Sequence, residues 1–396
     1  MFNTLKPIPA DPILKLLKLC QLDSNPQKID LGVGIYKNEH GETPILNCVK
    51  KAEQYRLKNE LTKSYLGPAG SELFNGLISE LIFGKELYST LNERIKTVST
   101  PSGTAALKVA ADFISRCKPN ATLWVSDPTW ANHTGVFESA GLKLQVYPYY
   151  DYASKSLKFD EMLTTLAQVS ENDVVLFHAC CHNPSGMDLT KCQWQKIISI
   201  TEKNGFMPLI DMAYQGFSEG IDQDAYGVRE MAAKVDNMII CSSCSKNFGL
   251  YRERIGACTI IAKNHFEAET ALSNLFFTIR CIYSMPPAHG AAIVETILNS
   301  ANLKAEWLDE LKLMRNRINN NRSLLVEKLK NVGVKENFDF ISKQHGMFSF
   351  LGINPQQVIR LRDEFSVYML DSSRINIAGF NEENIDYLTN SIRSIL

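Results

Sequence analysis

The sequence predicts an α/β protein: a mostly parallel sheet with helices on both faces, followed by a smaller α+β segment. Three observations predict it. Short β-prone runs alternate with helical patterns from Ile95 to Ile261, the sequence form of strands joined by crossover helices. No repeat, low-complexity tract or long Gly/Ser linker interrupts them. From Trp307 onward the rhythm changes to one long helical pattern, with Leu311, Met314, Ile318, Leu325 and Leu329 on a shared face.

The elements follow in order. Residues 95–99 form a strand, the turn Thr100-Pro101-Ser102-Gly103 follows, and 104–114 (TAALKVAADFI) is a helix. Residues 123–126, 142–147, 174–177, 208–211, 238–241 and 258–261 are further strands. In such sheets ligands gather at the carboxyl ends of the strands. The long helix starts near Ala301 and can leave one domain and enter another; a single domain is also consistent with it.

Composition narrows the function classes. The 396 residues are 45% apolar and 21% charged, with 42 Lys plus Arg against 43 Asp plus Glu and a net charge of −1. That balance gives no general attraction to phosphate backbones or anionic membranes, so neither nucleic acid nor a membrane is an expected partner. No apolar stretch approaches the roughly 20 residues of a membrane span. Pro7, Pro9, Asp11, Lys15 and Lys18 break up the N-terminal segment, which does not read as a secretory signal. The ten cysteines are scattered, and reduced thiols in the cytoplasm are expected.

The chemistry-bearing residues follow the strands. Ser102, Gly103 and Thr104 open a helix, where free N–H groups, two hydroxyls and a glycine suit an anion; taken alone, a helix cap and turn is the preferred reading. His178 and His182 flank two cysteines, but the turn Asn183-Pro-Ser-Gly186 stops any helix, so no metal is expected and a polar turn presenting Asn183 is preferred. Asp211 ends an apolar strand, either as a turn-former or as the partner of a buried cation. Cys241 and Cys244 form a lone CxxC, weak for metal. Lys246 lies among Ser243 and Ser245, eight residues before Arg254; it is a solvated charge or a nucleophile in a partly dry pocket. A carboxylate for a pyridinium nitrogen, a Schiff-base lysine and an anion cradle are together what pyridoxal phosphate needs.

At this point the sequence resembles the aspartate aminotransferases, the fold type I family of pyridoxal-phosphate enzymes that also includes aromatic-amino-acid aminotransferases. The resemblance runs nearly end to end. Asn183-Pro-Ser-Gly186, Asp211-Met-Ala-Tyr214-Gln-Gly-Phe217, Ser243-Cys-Ser-Lys246-Asn-Phe-Gly-Leu-Tyr-Arg-Glu-Arg254 and Ser373-Arg374-Ile-Asn376 carry it. It implies an N-terminal arm over 1–10, a large cofactor-binding domain over 44–312, and a small domain over 11–43 and 313–396. It implies transfer of the amino group of L-aspartate to 2-oxoglutarate, giving oxaloacetate and L-glutamate by a ping-pong mechanism.

The same resemblance assigns roles. Lys246 would carry the cofactor and move the substrate's Cα proton. Asp211 would hold the pyridine nitrogen protonated. Tyr214 and Asn183 would hydrogen-bond the ring oxygen, and Trp130 would stack on the ring. Ser102, Gly103, Thr104, Ser243, Ser245 and Arg254 would cradle the phosphate. His133, His178 and His182 would stand behind Asp211. Arg374 and the N–H of Gly34 would take the substrate α-carboxylate. In family members a homodimer completes the sites, with Tyr65 reaching the partner's phosphate and Arg280 the partner's substrate side chain; the small domain closes, with Ile13 and Leu14 as an apolar cover. Met285 stands where Asn is usual, Ser64 replaces another Asn, Ser185 a Thr, and Cys244 a common aromatic. Met285 opens a broad aromatic aminotransferase as the alternative. A silent scaffold on the same fold would need none of Lys246, Asp211, Tyr214, Arg254 and Arg374.

Overall fold

The computed structural model describes residues 2–7 and 11–396. It divides into two compact units, Pro44–Asn316 and Met1–Thr43 with Arg317–Leu396. The division falls inside the helix Ala301–Asn331. Of the expected arm, Phe2–Thr4 form a 3-10 turn, and residues 1 and 8–10 lie outside the described residues.

The larger unit is built on a seven-stranded sheet. Its strands are β1 (Ile95–Thr100), β2 (Thr122–Asp127), β3 (Lys143–Pro148), β4 (Val174–His178), β5 (Met207–Met212), β6 (Met238–Ser243) and β7 (Gly256–Ile261). Their order is β1-β7-β6-β5-β4-β2-β3. The ladders joining β6, β5, β4, β2 and β3 are parallel, while β7 runs antiparallel to both β1 and β6. All six residues of β6 and of β7 are buried, as befits strands covered on both faces.

Alternate residues define one face: Leu123 and Val125, Val174 and Leu176, Ile239 and Cys241, Cys258 and Ile260. The helix Gly103–Cys117 lays Ala106, Leu107, Val109, Ala110, Phe113 and Ile114 into the same core. Ser102 starts that helix by accepting the Ala105 N–H at 3.2 Å. Thr190 and Gln193 form a capping box for Lys191–Asn204, and Gly205, at φ 74°, ends it.

The smaller unit is α+β. Ile29–Asp30 pairs parallel with Val367–Tyr368, and Phe348–Phe350 pairs antiparallel with Arg374–Asn376. The helices Pro12–Leu22, Pro355–Phe365 and Ile385–Ile395 belong to it, the second started by an Asn354–Gln357 capping box. Leu16, Cys20 and Tyr368 form a small apolar cluster. Among the described residues, no helix is long and apolar enough to cross a membrane.

Candidate active site

The parallel strands deliver their carboxyl ends to one edge of the sheet. His178 at the end of β4 lies in register with Asp211 on β5, and Asp211 with Cys241 on β6. Lys246 follows β6 by three residues, in a turn closed by Gly249 N–H to the Lys246 carbonyl at 3.0 Å. Its amine lies 4.6 Å from the centre of the Tyr214 ring. Burial lowers the amine's pKa to about 8; the Asp211 charge opposes that shift and Arg254 adds to it.

Asp211 is held as a carboxylate. Burial pushes its pKa up, but the hydrogen bond from His133 and the nearby charges of His133 and Lys246 prevail, so it stays below the ordinary value. His133 Nε2 is 3.1 Å from Asp211 Oδ2. The Thr129 hydroxyl joins His133 Nδ1 at 2.8 Å to His178 Nε2 at 3.4 Å. Trp130 meets the His133 ring edge-on, with centroids 5.2 Å apart. Burial drops His178 to about 4, so its imidazole is neutral near pH 7.

His182 joins the same cluster, its ring centroid 4.4 Å from that of His178. It also bonds Ser126 at 3.0 Å and Ser185 at 2.8 Å and stacks on Tyr149 at 4.0 Å, so it backs His178 and braces the Asn183 turn. Asn183 itself is buried. Cys180, Cys181 and Asp224 bring possible ligand atoms within 4.8 Å of one another. However, both Asp224 oxygens already accept backbone N–H groups, from Gly216 and Ser218 and from Glu219 and Gly220. Cys241 pairs in register with Cys258 across the β6–β7 ladder, and burial raises the pKa of both Cys241 and Cys244.

Two segments that carry residues expected of the anion cradle come together. Ser102 has φ 107°, and its carbonyl accepts the Thr100 hydroxyl at 3.0 Å. A Cβ added to Gly103 would lie 2.9 Å from the Ser243 Cβ, so the helix start and the turn after β6 touch there. Gly256 leaves no more room, for its added Cβ would fall 2.6 Å from the carbonyl of Ser242. The Ser245 N–H bonds the Ser243 hydroxyl at 3.2 Å. Arg254, at φ 57°, is exposed and bonds the Tyr251 carbonyl at 3.1 Å.

Tyr65 is 91% exposed. Arg280 lies exposed in the last turn of His265–Ile282, bonded to the Ser284 hydroxyl at 2.5 Å; Met285 beside it is partly buried. In the smaller unit, Arg374 is buried and donates to the Gly32 carbonyl at 2.8 Å. Its guanidinium lies 4.2 Å from the centre of the Phe348 ring, and Gly34 packs on that ring so closely that an added Cβ would be 2.5 Å from Phe348 Cζ. Ile13 and Leu14 lie in the first turn of Pro12–Leu22, where both N–H groups bond Asp11 and the Leu14 side chain is exposed.

Sequence reasoning passed over the brace behind the lysine turn. The Trp307 indole, fully buried, donates to the Asn247 carbonyl at 2.7 Å and stacks on Phe248 at 4.4 Å. Asn247 Nδ2 donates to the Gln215 carbonyl at 3.3 Å, tying the turn of Lys246 to that of Tyr214. Arg315 donates to the Gly216 carbonyl at 3.0 Å. The one local signal was the aromatic at 307, where the sequence rhythm changes.

A lysine and a carboxylate at the carboxyl ends of adjacent parallel strands, beside a glycine-opened helix start, define a fold type I transferase site. The sequence places the chain more narrowly: the profile of the family described as Aminotransferase class I and II matches residues 26–392, and the chain belongs to that family. It is 48% identical to an aspartate aminotransferase of Escherichia coli (strain K12) over 396 residues, with 100% of each covered. It is 45% identical over 388 residues to an aromatic-amino-acid aminotransferase of Pseudomonas aeruginosa, covering 98% of this chain and 97% of that relative. The crystal structure of an aromatic-amino-acid aminotransferase from Burkholderia pseudomallei, covalently bound to pyridoxal phosphate, matches with TM-score 0.97 and 41% identity, covering 100% of this chain and 99% of that one. The chain thus lies in the aspartate/aromatic aminotransferase subfamily.

Proposed function

We propose that this chain is a pyridoxal-phosphate-dependent aminotransferase that takes the amino group of L-aspartate and passes it to 2-oxoglutarate. The lysine amine of lowered pKa, set over Tyr214 and near a carboxylate kept charged by His133, carries the reading. The residues fit the cofactor. Gly103 and Gly256 keep side chains out of the space between the helix start and Ser243, and Ser102, Thr104, Ser243, Ser245 and Arg254 supply donors for a phosphate.

When bound, pyridoxal phosphate supplies a carbonyl that condenses with amines and a protonated ring that draws electrons from the bond to be broken. The protein does the rest. Near neutral pH, Lys246 has a usable fraction of neutral amine, so it serves as nucleophile and then as the base that takes the Cα proton. Asp211, anchored by His133, holds a proton at the ring nitrogen. Tyr214 and Asn183 would hydrogen-bond the ring oxygen, and Trp130 would stack on the ring. Arg374, its plane backed by Phe348, binds the α-carboxylate in a bidentate fashion with the Gly34 N–H.

The aspartate preference rests on Arg280, which would meet a side-chain carboxylate across a homodimer; a desolvated guanidinium without its anion disfavours neutral side chains. The exposure of Tyr65, Leu61 and Leu57 along one segment supports burial by a second copy. Met285, apolar beside Arg280, favours the second reading, a broad aromatic aminotransferase. The purified protein is expected to be coloured, and L-aspartate to shift its visible band while oxaloacetate accumulates. A folded preparation that stays colourless with added pyridoxal phosphate overturns the reading. A kcat/KM for tyrosine or phenylalanine above that for aspartate overturns the substrate alone.

A further inference from the structure

Arg322, on the helix Ala301–Asn331, is almost wholly buried. Its Nη1 donates to the Ser349 hydroxyl at 2.6 Å and to the Ile341 carbonyl at 3.3 Å. Its Nη2 donates to the carbonyls of Gly346 at 2.6 Å, Phe348 at 2.7 Å and His345 at 3.1 Å. All of these acceptors are neutral. A guanidinium keeps its charge in the interior, so carbonyl dipoles here do the work that water does outside. The planar fork accepts only one arrangement of those oxygens, and this fixes the main chain from Ile341 to Ser349. The Ser349 hydroxyl also bonds the buried Gln344 side chain.

The segment so fixed leads into Phe348–Phe350, paired with Arg374–Asn376 so that Phe348 faces Asn376 and Phe350 faces Arg374. Arg322 grips the Phe348 carbonyl, while the Phe348 ring lies against the Arg374 guanidinium and beneath Gly34. We propose that Arg322 is a positioning residue for substrate binding: it sets the Phe348 ring, which sets the plane that Arg374 presents to an α-carboxylate. A bidentate contact tolerates little rotation of either plane, so a loosened ring translates into weaker carboxylate binding. The inference rests on Arg374 being the α-carboxylate partner.

The test uses the cofactor-loaded enzyme and 2-methyl-L-aspartate, which has the α-carboxylate but no Cα hydrogen to lose. In Arg322→Met the Kd for this probe, measured by calorimetry, is expected to rise about tenfold. KM for L-aspartate and 2-oxoglutarate should rise alongside it, with kcat and the affinity for pyridoxal phosphate held within about twofold. Arg322→Lys should fall between, because an ammonium donates from a single point and cannot span the five acceptors. Wild-type probe binding in a folded Arg322→Met overturns the proposal, as does an equal loss of kcat and cofactor affinity. Should Arg322→Met not fold, Ser349→Ala removes one acceptor, and probe binding should weaken about threefold; unchanged binding there overturns the proposal as well. Arg374→Met tests the underlying reading separately: unchanged probe binding in that variant removes Arg374 from the α-carboxylate site, whatever the Arg322 variants do.

Discussion

His133 sets its Nε2 3.1 Å from a carboxylate oxygen of Asp211, and the Thr129 hydroxyl holds the other nitrogen of the same ring. The pair decides the charge of Asp211, because burial alone would raise its pKa. In His133→Ala burial should win. The acid limb of the kcat/KM profile is then expected to move to higher pH, with activity recovering as pH rises. A profile between pH 5 and 9 checks this, and an unmoved limb would mean that Asp211 needs no help to stay ionised.

Lys246 should destabilise the cofactor-free fold. Its pKa of about 8 lies below the ordinary 10.5, so the folded protein resists the charged form. Below pH 8 both folded and unfolded chains carry the proton and the full penalty applies. Between about 8 and 10.5 the unfolded chain holds more protons, and the penalty fades as pH rises. Lys246→Met is therefore expected to lose turnover by at least about 10⁴-fold, yet to gain about 1–3 kcal/mol at pH 7 without cofactor. Urea titrations at pH 7 and 10 measure that gain, which should shrink at the higher pH.

Arg280→Asp should discriminate between substrates. Removing the guanidinium is expected to lower kcat/KM for aspartate by about 100-fold or more, and for phenylalanine by far less. An equal loss on both would assign Arg280 to structure, through its bond to Ser284.

Trp307→Phe keeps an aromatic ring for Phe248 but deletes the donor to the Asn247 carbonyl. A buried carbonyl left unpaired costs about 1–3 kcal/mol, which a denaturation midpoint would register. Because Asn247 follows Lys246 directly, kcat is expected to fall severalfold as well. Unchanged kcat with lowered stability would confine Trp307 to the core.

The strand cores were legible because apolar runs bounded by turns have few other uses, but their ends were not. β1, β2, β6 and β7 extend into Thr100, Asp127, Ser243 and Gly256, polar or small residues that join the ladder because neighbours supply their hydrogen bonds. The reversal of β7 left no trace either, since direction does not alter composition. Ser102, Asp211 and Lys246 stood out through their positions after strands, and the resemblance connected them. Trp307 and Arg322 escaped notice because their partners lie far along the chain and impose no local pattern. The spacing of His178 and His182 matches their ring contact at 4.4 Å, but the bonds of His182 to Ser126 and Ser185 leave no mark in that spacing.

Asp211 lies on a strand paired on both sides, with β4 and with β6. Amide hydrogens around it should exchange with solvent only when the middle of the sheet opens, among the slowest in the molecule. Local fraying of helices or loops cannot displace this carboxylate, so a partly unfolded population that retains the sheet would retain it too.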